Sequence, residues 1–370
     1  MGELVRTEIS KIPYLHIFGR TGRCKQPLPL FFNGSGIEVK VTGSELWIEI
    51  DTDCDNMEVW VAGEINGALI SRQMVMPGKQ KICLFRSQEP TEAKTVRFYR
   101  ELQATSENET TYLTVESLLS DGEFLKTDDY PLKLEFIGDS ITSGEGTYGS
   151  LADTVWVSMY MSASVNYATM VSKELHADYQ LFSQGGWGVY CGWDNDMRHN
   201  IPSHYEKVCA LTQCKKNIDM GAHEDYDFAY QPDVIVINLG TNDNTAFDQP
   251  EFTDPVTGVV HKQHRNVDGT YDKDDIAAVK KAVYDFVTML RKHHPGSHIV
   301  WCYGMLGYAL TPVITEAIND YRKNTGDNNV AFINLPNTLE GEYGSHMHPG
   351  YKSHKKAAKV LVDYIKQVME

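Results

Sequence analysis

The sequence predicts two domains, an all-β sandwich followed by an α/β domain built on a parallel sheet. Up to about residue 125, the chain consists of short segments in which apolar and polar residues alternate, with no convincing helix among them. After that point, apolar runs of strand length alternate with segments of helical periodicity, which is typical of a parallel sheet covered on both faces. We therefore divide the chain into a jelly-roll sandwich, residues 1–125, and an α/β domain, residues 126–370.

The first domain is predicted from a series of β-type segments. These segments are Ile37–Val41, Leu46–Ile50, Met57–Ala62, Ala68–Met76, Lys81–Arg86, Lys94–Glu101 and Thr110–Glu116. The first two flank Thr42-Gly43-Ser44 and predict a hairpin, and the next two are joined by a Gly-containing turn, Gly63–Gly67. The polar stretch Asp121–Tyr130, which ends at Pro131, marks the domain boundary.

The second domain is predicted from alternating strands and helices. The predicted strands are Leu132–Gly138, Tyr179–Ser183, Asp233–Leu239, His298–Tyr303 and Val330–Leu335. The predicted helices lie near Ser164–His176, Asp274–His293, Pro312–Asn324 and Gly350–Met369. The charged, Gly-containing stretch Asp248–Asp272 has no helical period and is predicted to be a surface loop near the site.

The first strand of the second domain leads into a candidate nucleophile. The stretch LKLEFIGDSITSGEG begins as a buried strand and breaks at Gly138-Asp139-Ser140. A hydroxyl just past such a strand lies at the carboxyl edge of the sheet, where open α/β sheets bind ligands. Because Gly, Asp and Ser are also common turn residues, this motif alone is more often a plain turn.

Three later connections fall where a serine hydrolase would need them. They are Ser183–Gly188 after the second strand, Gly240–Asp243 after the third, and His348–Gly350 before the last helix. Together they fit acyl transfer, with Ser140 as nucleophile and His348 as general base and then general acid. The Ser140 and Gly186 N–H groups and the Asn242 amide are candidate donors to the oxyanion.

This order of motifs resembles the SGNH (GDSL) hydrolases. With the β-rich first domain, the run Ser143–Gly146 after GDSIT and the Gly-Trp-Gly block, nearly the whole chain resembles carbohydrate esterase family 2. The resemblance implies a flavodoxin-like α/β/α hydrolase domain behind a jelly roll, and removal of acetyl groups from plant cell-wall polysaccharides and oligosaccharides of the mannan or xylan type. It implies neither a metal nor an organic cofactor. Gly185 or Gly188 could replace Gly186 as the oxyanion glycine.

One position departs from the family pattern. SGNH hydrolases usually carry an Asp three residues before the catalytic His, where this chain has Ser345. We therefore predict a Ser140–His348 dyad in which Nδ1 of His348 donates to a neutral acceptor such as a backbone carbonyl. Glu340 and Glu342 are the nearby alternatives for a third, acidic member.

Candidate substrate contacts and metal ligands complete the site prediction. Trp187, beside the Gly block, is predicted to form a sugar-stacking wall, and Trp301 is either core or ligand-facing. We also count Asp139 among the candidate substrate contacts. His346 and His348 are two residues apart, but without a third ligand at recognisable spacing we expect no metal site.

Charge and cysteine content limit the partners. The formal net charge of -16 argues against nucleic acid and anionic membranes, and a homo-oligomer is left open. The seven cysteines show no CxxC spacing, and the charged start MGELVRTEISK does not read as a secretory signal. We therefore expect free thiols and a cytoplasmic protein.

Two other functions are weighed against the acetyl esterase. An esterase or thioesterase for lipid-like acyl chains ranks lower, because the loops near the site are aromatic and polar rather than aliphatic. An inactive carbohydrate-binding protein ranks lower because Ser140, Asn242 and His348 occur together.

Overall fold

The computed structural model describes residues 2–55 and 57–370, and its N-terminal region consists of short strands. The predicted first domain, residues 1–125, includes Met1 and Asn56, which lie outside the described residues. The strands are β1 (Val5–Glu8), β2 (His16–Phe18), β3 (Leu28–Pro29), β4 (Gly36–Val41), β5 (Leu46–Asp53), β6 (Val59–Ile65), β7 (Ala68–Val75), β8 (Gly78–Phe85), β9 (Lys94–Arg100), β10 (Tyr112–Ser120) and β11 (Phe124–Leu125).

These strands form two antiparallel sheets around a shared core. One sheet has the order β1-β10-β5-β8, with β3 also paired to β10, and the other has the order β11-β4-β9-β6-β7, with β2 paired to β4. Alternate residues of the strands, such as Ile48 and Ile50 on β5 and Ile37 and Val39 on β4, are buried in one cluster. The β-rich character predicted for this region is confirmed, and its jelly-roll topology stays a prediction.

The first predicted hairpin is wrong. β4 pairs with β9 in one sheet, whereas β5 pairs with β10 and β8 in the other. The connection turns at Gly43, where φ is +95°, and the Asp121 carboxylate accepts hydrogen bonds from the N–H groups of Ser44 and Glu45. Alternating hydrophobicity identifies each segment as a strand but does not specify its partner. The β6–β7 hairpin is confirmed, with its turn at Asn66 and Gly67.

The C-terminal region alternates strands and helices, as predicted. Its strands are β12 (Leu132–Gly138), β13 (Ala177–Ser183), β14 (Val234–Asn238), β15 (Phe252–Thr253), β16 (Val260–His261), β17 (His298–Gly304) and β18 (Val330–Leu335). Its helices are α1 (Ser140–Ser143), α2 (Tyr167–Glu174), α3 (Lys215–Asp219), α4 (Thr241–Ala246), α5 (Lys273–His293), α6 (Thr311–Thr325) and α7 (Tyr351–Met369). The insertion predicted at Asp248–Asp272 is loop apart from the short β15–β16 pair.

The central sheet is parallel, with the order β13-β12-β14-β17-β18. Successive residues of β14 point to opposite faces, so that Val236 packs with α2 and α7 while Ile237 packs with α5 and α6. The sheet is therefore covered on both faces, and the three-layer α/β/α prediction is confirmed. The connections after β12, β13 and β14 meet at its carboxyl edge.

Buried contacts join the N-terminal region to the hydrolase sheet. Phe32 lies in the same hydrophobic cluster as Phe182 of β13. Arg20 is fully buried and forms a 2.9 Å ion pair with Glu135, which lies on β12. The strand that leads to Ser140 is thus held by an ion pair with a residue of the N-terminal region.

Two further sequence predictions concern the cysteines and the membrane. All seven cysteines are free thiols, as predicted. Among the described residues, we find no helix with the length and apolar character needed to span a bilayer.

Candidate active site

Ser140 lies at the start of α1, directly after the tight turn that ends β12. A Cβ on Gly138 would lie 2.0 Å from Oγ1 of Thr142, so the chain can pass only because this residue is glycine. Asp139 caps α1, its Oδ1 accepting the N–H of Ile141 at 2.9 Å. The Ser140 side chain is brought to the floor of a cleft, where the residue is 6% exposed.

His348 lies in the loop before α7 and contacts the serine directly. Its Nε2 is 2.8 Å from Oγ of Ser140. The loop after α1 packs closely against this histidine loop, since a Cβ on Gly146 would lie 2.8 Å from Cβ of His348. The two residues predicted to be catalytic are therefore brought together across 208 positions of sequence.

The Nδ1 atom of His348 faces a backbone carbonyl. The distance from Nδ1 to the carbonyl oxygen of His346 is 2.8 Å. Because a carbonyl can only accept, Nδ1 carries the proton and Nε2 of the neutral ring is free to accept the proton of Ser140. His346 and Met347 both lie in the left-handed region, with φ of 52° and 57°, which turns this carbonyl toward the ring. The prediction of a neutral acceptor for His348 is confirmed.

The sequence analysis missed the acidic residue nearest to His348. Oε1 of Glu145 lies 2.7 Å from Nδ1 of His346 and 3.5 Å from Nδ1 of His348. Glu342 instead pairs with Lys356 on α7. Glu340 lies on the exposed surface. Neither alternative acid is at the site. The sequence feature that could have pointed to Glu145 is the Ser-Gly-Glu-Gly run after GDSIT, which contains it.

Glu145 is buried, and its ionisation depends on the two histidines. Burial alone would raise the pKa of Glu145, but the charges of His348 and His346 and hydrogen bonds from His346 and Trp156 hold it below its ordinary value. The hydrogen bond to Glu145 in turn raises the pKa of His346, against the effect of burial. The pair is therefore arranged as a carboxylate facing a histidine that protonates readily.

Glu145, His346 and His348 also form a group of potential metal ligands. Ligand atoms of Glu145, His346 and His348 lie within 4.8 Å of one another. Within this group, Nδ1 of His346 contacts Glu145, and Nδ1 of His348 donates to a carbonyl. Since Nδ1 of both histidines is already engaged in a hydrogen bond, we do not assign a metal to this group.

The Gly block after β13 presents one candidate oxyanion donor. The Gly185 N–H donates to Oε1 of Gln103 at 2.8 Å, and the Gly188 N–H donates to the His199 carbonyl at 3.3 Å. Gly186 has φ of +80° and lines the cleft, and no acceptor for its N–H is found among the described residues. The hydrogen bonds therefore favour Gly186 over its two alternatives.

Asn242 lies in the first turn of α4 and also lines the cleft. Its Nδ2 donates to the Trp187 carbonyl at 2.9 Å and to Oδ2 of Asp139 at 3.3 Å. The second bond is long and therefore the weaker of the two. The amide hydrogen in this weaker bond is the one that could turn from Asp139 to an oxyanion in the cleft.

The prediction that Asp139 contacts the substrate is wrong, because the residue is 0% exposed. Its carboxyl group caps α1 and accepts from Asn242 instead. Burial, together with the nearby Asp243 and Glu145, raises the pKa of Asp139 to about 7. Burial also raises the pKa of Asp243, although its carboxylate accepts the N–H groups of residues 189–191.

The site opens into a cleft of about 780 Å³ that both regions of the chain line. The N-terminal region contributes Met57, Gln103 and residues 105–107, and the C-terminal region contributes Trp156 and Trp193 to the same lining. Trp193 is 47% exposed. The cleft thus offers exposed aromatic surface within reach of Ser140.

The two predicted tryptophan contacts have different outcomes. Trp187 lines the cleft but is only 5% exposed, because it stacks on His199 with ring centroids 5.1 Å apart. The prediction that Trp301 contacts the substrate is wrong, because its side chain is fully buried and its Nε1 donates to the Leu239 carbonyl. A strand at the centre of a sheet covered on both faces buries its side chains, which explains this outcome. Trp193 provides the exposed ring that Trp187 was expected to provide.

Comparison with known proteins gives a family match and two curated relatives. The GDSL-like Lipase/Acylhydrolase family model matches residues 134–361, more than half of the chain. The chain is 25% identical over 368 residues to an acetylxylan esterase / glucomannan deacetylase of Cellvibrio japonicus, covering 97% of this chain and 90% of that protein. It is 27% identical over 244 residues to the cellulase/esterase CelE of Acetivibrio thermocellus. That match covers 63% of this chain but only 25% of that much longer protein.

Two solved structures match over nearly the whole chain. An acetyl xylan esterase (Est2A) from the rumen bacterium Butyrivibrio proteoclasticus is 57% identical, with a TM-score of 0.97 and 99% of both chains covered. A family two carbohydrate esterase from Clostridium thermocellum shares the fold, with a TM-score of 0.79 at 21% identity over 96% of this chain and 99% of that one.

Proposed function

Because the chain belongs to the GDSL-like lipase/acylhydrolase family, we propose that it is a serine esterase that removes O-acetyl groups from plant cell-wall oligosaccharides of the xylan or mannan type. The observation that carries this proposal is the chain of hydrogen bonds from Ser140 through His348 to a backbone carbonyl, at the floor of an open, aromatic-lined cleft. The 57% identity to an acetyl xylan esterase supports the substrate class.

The first half of the proposed reaction forms an acetyl-enzyme. Oγ of Ser140 attacks the carbonyl carbon of the acetyl ester, while its proton passes to Nε2 of His348. The tetrahedral intermediate then collapses, and the sugar alcohol leaves with that proton. In the second half, His348 takes a proton from water as the water oxygen attacks the acetyl-Ser140 carbonyl. The second tetrahedral intermediate then collapses, His348 returns the proton to Oγ of Ser140, and acetate is released.

Three groups are proposed to stabilise the oxyanion. These are the N–H groups of Ser140 and Gly186 and the Nδ2 amide of Asn242, three residues that line the same cleft. Asn242 exchanges its 3.3 Å bond to Asp139 for the stronger, charge-assisted bond to the oxyanion. Loss of one such donor typically lowers kcat about 100- to 1000-fold.

The substrate class is tested by following acetate release from acetylated xylo-oligosaccharides and manno-oligosaccharides, alongside p-nitrophenyl esters of increasing acyl length. We expect the enzyme to deacetylate both oligosaccharides and to favour acetate over longer acyl groups. A preference for octanoate or longer chains would instead support the lipid-type esterase. The absence of turnover on every ester would support a binding protein.

A further inference from the structure

Within the described residues, Glu145 is the carboxylate placed against both histidines of the site, and the reaction as proposed does not use it. Its backbone N–H donates to the carbonyl of Ser140 at 2.9 Å, so the residue is fixed relative to the nucleophile. Its side chain is only 9% exposed, and Oε1 lies 2.7 Å from Nδ1 of His346. A buried carboxylate at this position is costly unless it interacts with positive charge.

The bond from Glu145 to His346 holds the segment that orients His348. His346 supplies the carbonyl that accepts from His348, and it does so in the left-handed conformation that a non-glycine residue adopts only under constraint. Two contacts provide that constraint: the His346 N–H donates to the Asp153 carbonyl at 2.7 Å, and its ring is fixed by Glu145. Without the second contact, the carbonyl would be free to rotate away from Nδ1.

The same carboxylate is close enough to act on His348 through its charge. Oε1 lies 3.5 Å from Nδ1 of His348, too long for a hydrogen bond but short for a buried charge. The His346 ring, stacked on His348 at 5.5 Å between centroids, opposes this attraction in part. Its side chain is 44% exposed, however, so its charge is more strongly screened than that of Glu145. Among the described residues, Asp139 also interacts with Glu145 through its charge, and burial keeps Asp139 largely uncharged below about pH 7. The buried His354, which interacts with His348 in the same way, stays uncharged because burial lowers its pKa to about 3.

We propose that Glu145 is a positioning residue for His348: it locks the His346 turn, and its charge favours the imidazolium that forms during both halves of the reaction. The inference rests on the proposed function of Ser140 and His348. In this inference Glu145, which follows the GDSIT motif, orients His348 in place of the Asp that SGNH hydrolases usually carry three residues before the catalytic His.

The test uses Glu145→Gln, which keeps an oxygen acceptor for His346 but removes the charge. We expect kcat for p-nitrophenyl acetate to fall about 10- to 100-fold, with KM within about threefold of wild type, and the acid limb of the pH–rate profile to move to lower pH. His346→Asn, which suits the left-handed backbone but loses the ion pair, should lower kcat as well. Glu342→Gln is the matched control, since Glu342 pairs with Lys356 outside the site, and it should behave as wild type.

A second readout does not depend on turnover. In Ser140→Ala protein, NMR titration of the His346 ring should show a midpoint that moves to lower pH when Glu145→Gln is added, because the hydrogen bond to Glu145 raises the pKa of His346. If wild type hydrolyses no ester, the proposed function fails while this titration still tests Glu145. Wild-type kcat with an unshifted midpoint in Glu145→Gln would overturn the inference. The inference would also be overturned if Glu145→Gln lost activity only in proportion to a loss of thermal stability and its pH–rate profile matched that of wild type.

Discussion

Replacing Arg20 by Met should destabilise the whole protein, because Arg20 is a buried charge that joins the N-terminal region to the catalytic strand. Its guanidinium pairs with Glu135 at 2.9 Å and donates to the carbonyls of Tyr205 and Lys207 at 2.6 and 3.1 Å. It also lies over three aromatic rings at 4.2 to 4.4 Å from their centroids. The Met side chain fills similar volume but leaves the Glu135 carboxylate buried without its counter-charge.

The expected cost is about 3–5 kcal/mol in the free energy of unfolding, the range measured when one partner of a buried ion pair is removed. Urea unfolding followed by tryptophan fluorescence provides the measurement. Arg23→Met is the matched control, because the Arg23 side chain is 91% exposed and should leave stability unchanged. Adding Glu135→Gln to Arg20→Met should recover part of the loss, since the unpaired charge is then gone. If Arg20→Met lowered the free energy of unfolding by less than about 1 kcal/mol, or by no more than Arg23→Met, the stabilising role assigned to the Arg20–Glu135 pair would be refuted.

Three further predictions concern the cleft, the buried carboxyl and the domain arrangement. Trp193→Ala should raise KM for acetylated oligosaccharides several-fold more than KM for p-nitrophenyl acetate, and equal effects on both would count against a sugar-stacking role. Asp139 has a folded-state pKa of about 7, above its unfolded value, so its contribution to stability falls as pH rises from about 4 to 7. Asp139→Asn should therefore flatten the decline in unfolding free energy between about pH 4 and 7. A decline as steep as in wild type would contradict this assignment. Residues 126–370 expressed alone should be insoluble or poorly active, because they lack Arg20 and the Gln103 wall of the cleft. A soluble fragment with full activity on oligosaccharides would show that the two regions work independently.

Much of the fold follows from periodicity, and the exceptions have a common physical cause. The strands and long helices around the parallel sheet are found within a few residues of their predicted bounds, because each strand is a short segment rich in apolar residues and each long helix has an amphipathic period. The error at Ile37–Ile50 arose because alternation specifies which face of a strand is buried but not which strand lies beside it. Partner choice depends on contacts distant in sequence, such as those of Asp121.

The site was predictable where chemistry restricts the residue type. Ser140 and His348 follow from motif order, and the structure brings their side chains to 2.8 Å. Substrate contacts were predicted less well, because a tryptophan in a sequence gives no sign of its exposure: Trp301 is core, while Trp193 faces the cleft. Glu145 was missed because its partner, His346, lies 201 residues away, and only folding reveals the pair.

Rapid-quench mass spectrometry tests the central claim most directly, namely that an acetyl group passes through Ser140. Protein mixed with p-nitrophenyl acetate is quenched in acid, digested and analysed for the peptide that carries a single added acetyl group. We expect the acetyl group on Ser140 in wild type, and neither adduct nor turnover in folded Ser140→Ala. An acetyl group on another residue, or undiminished hydrolysis by Ser140→Ala, would contradict the mechanism.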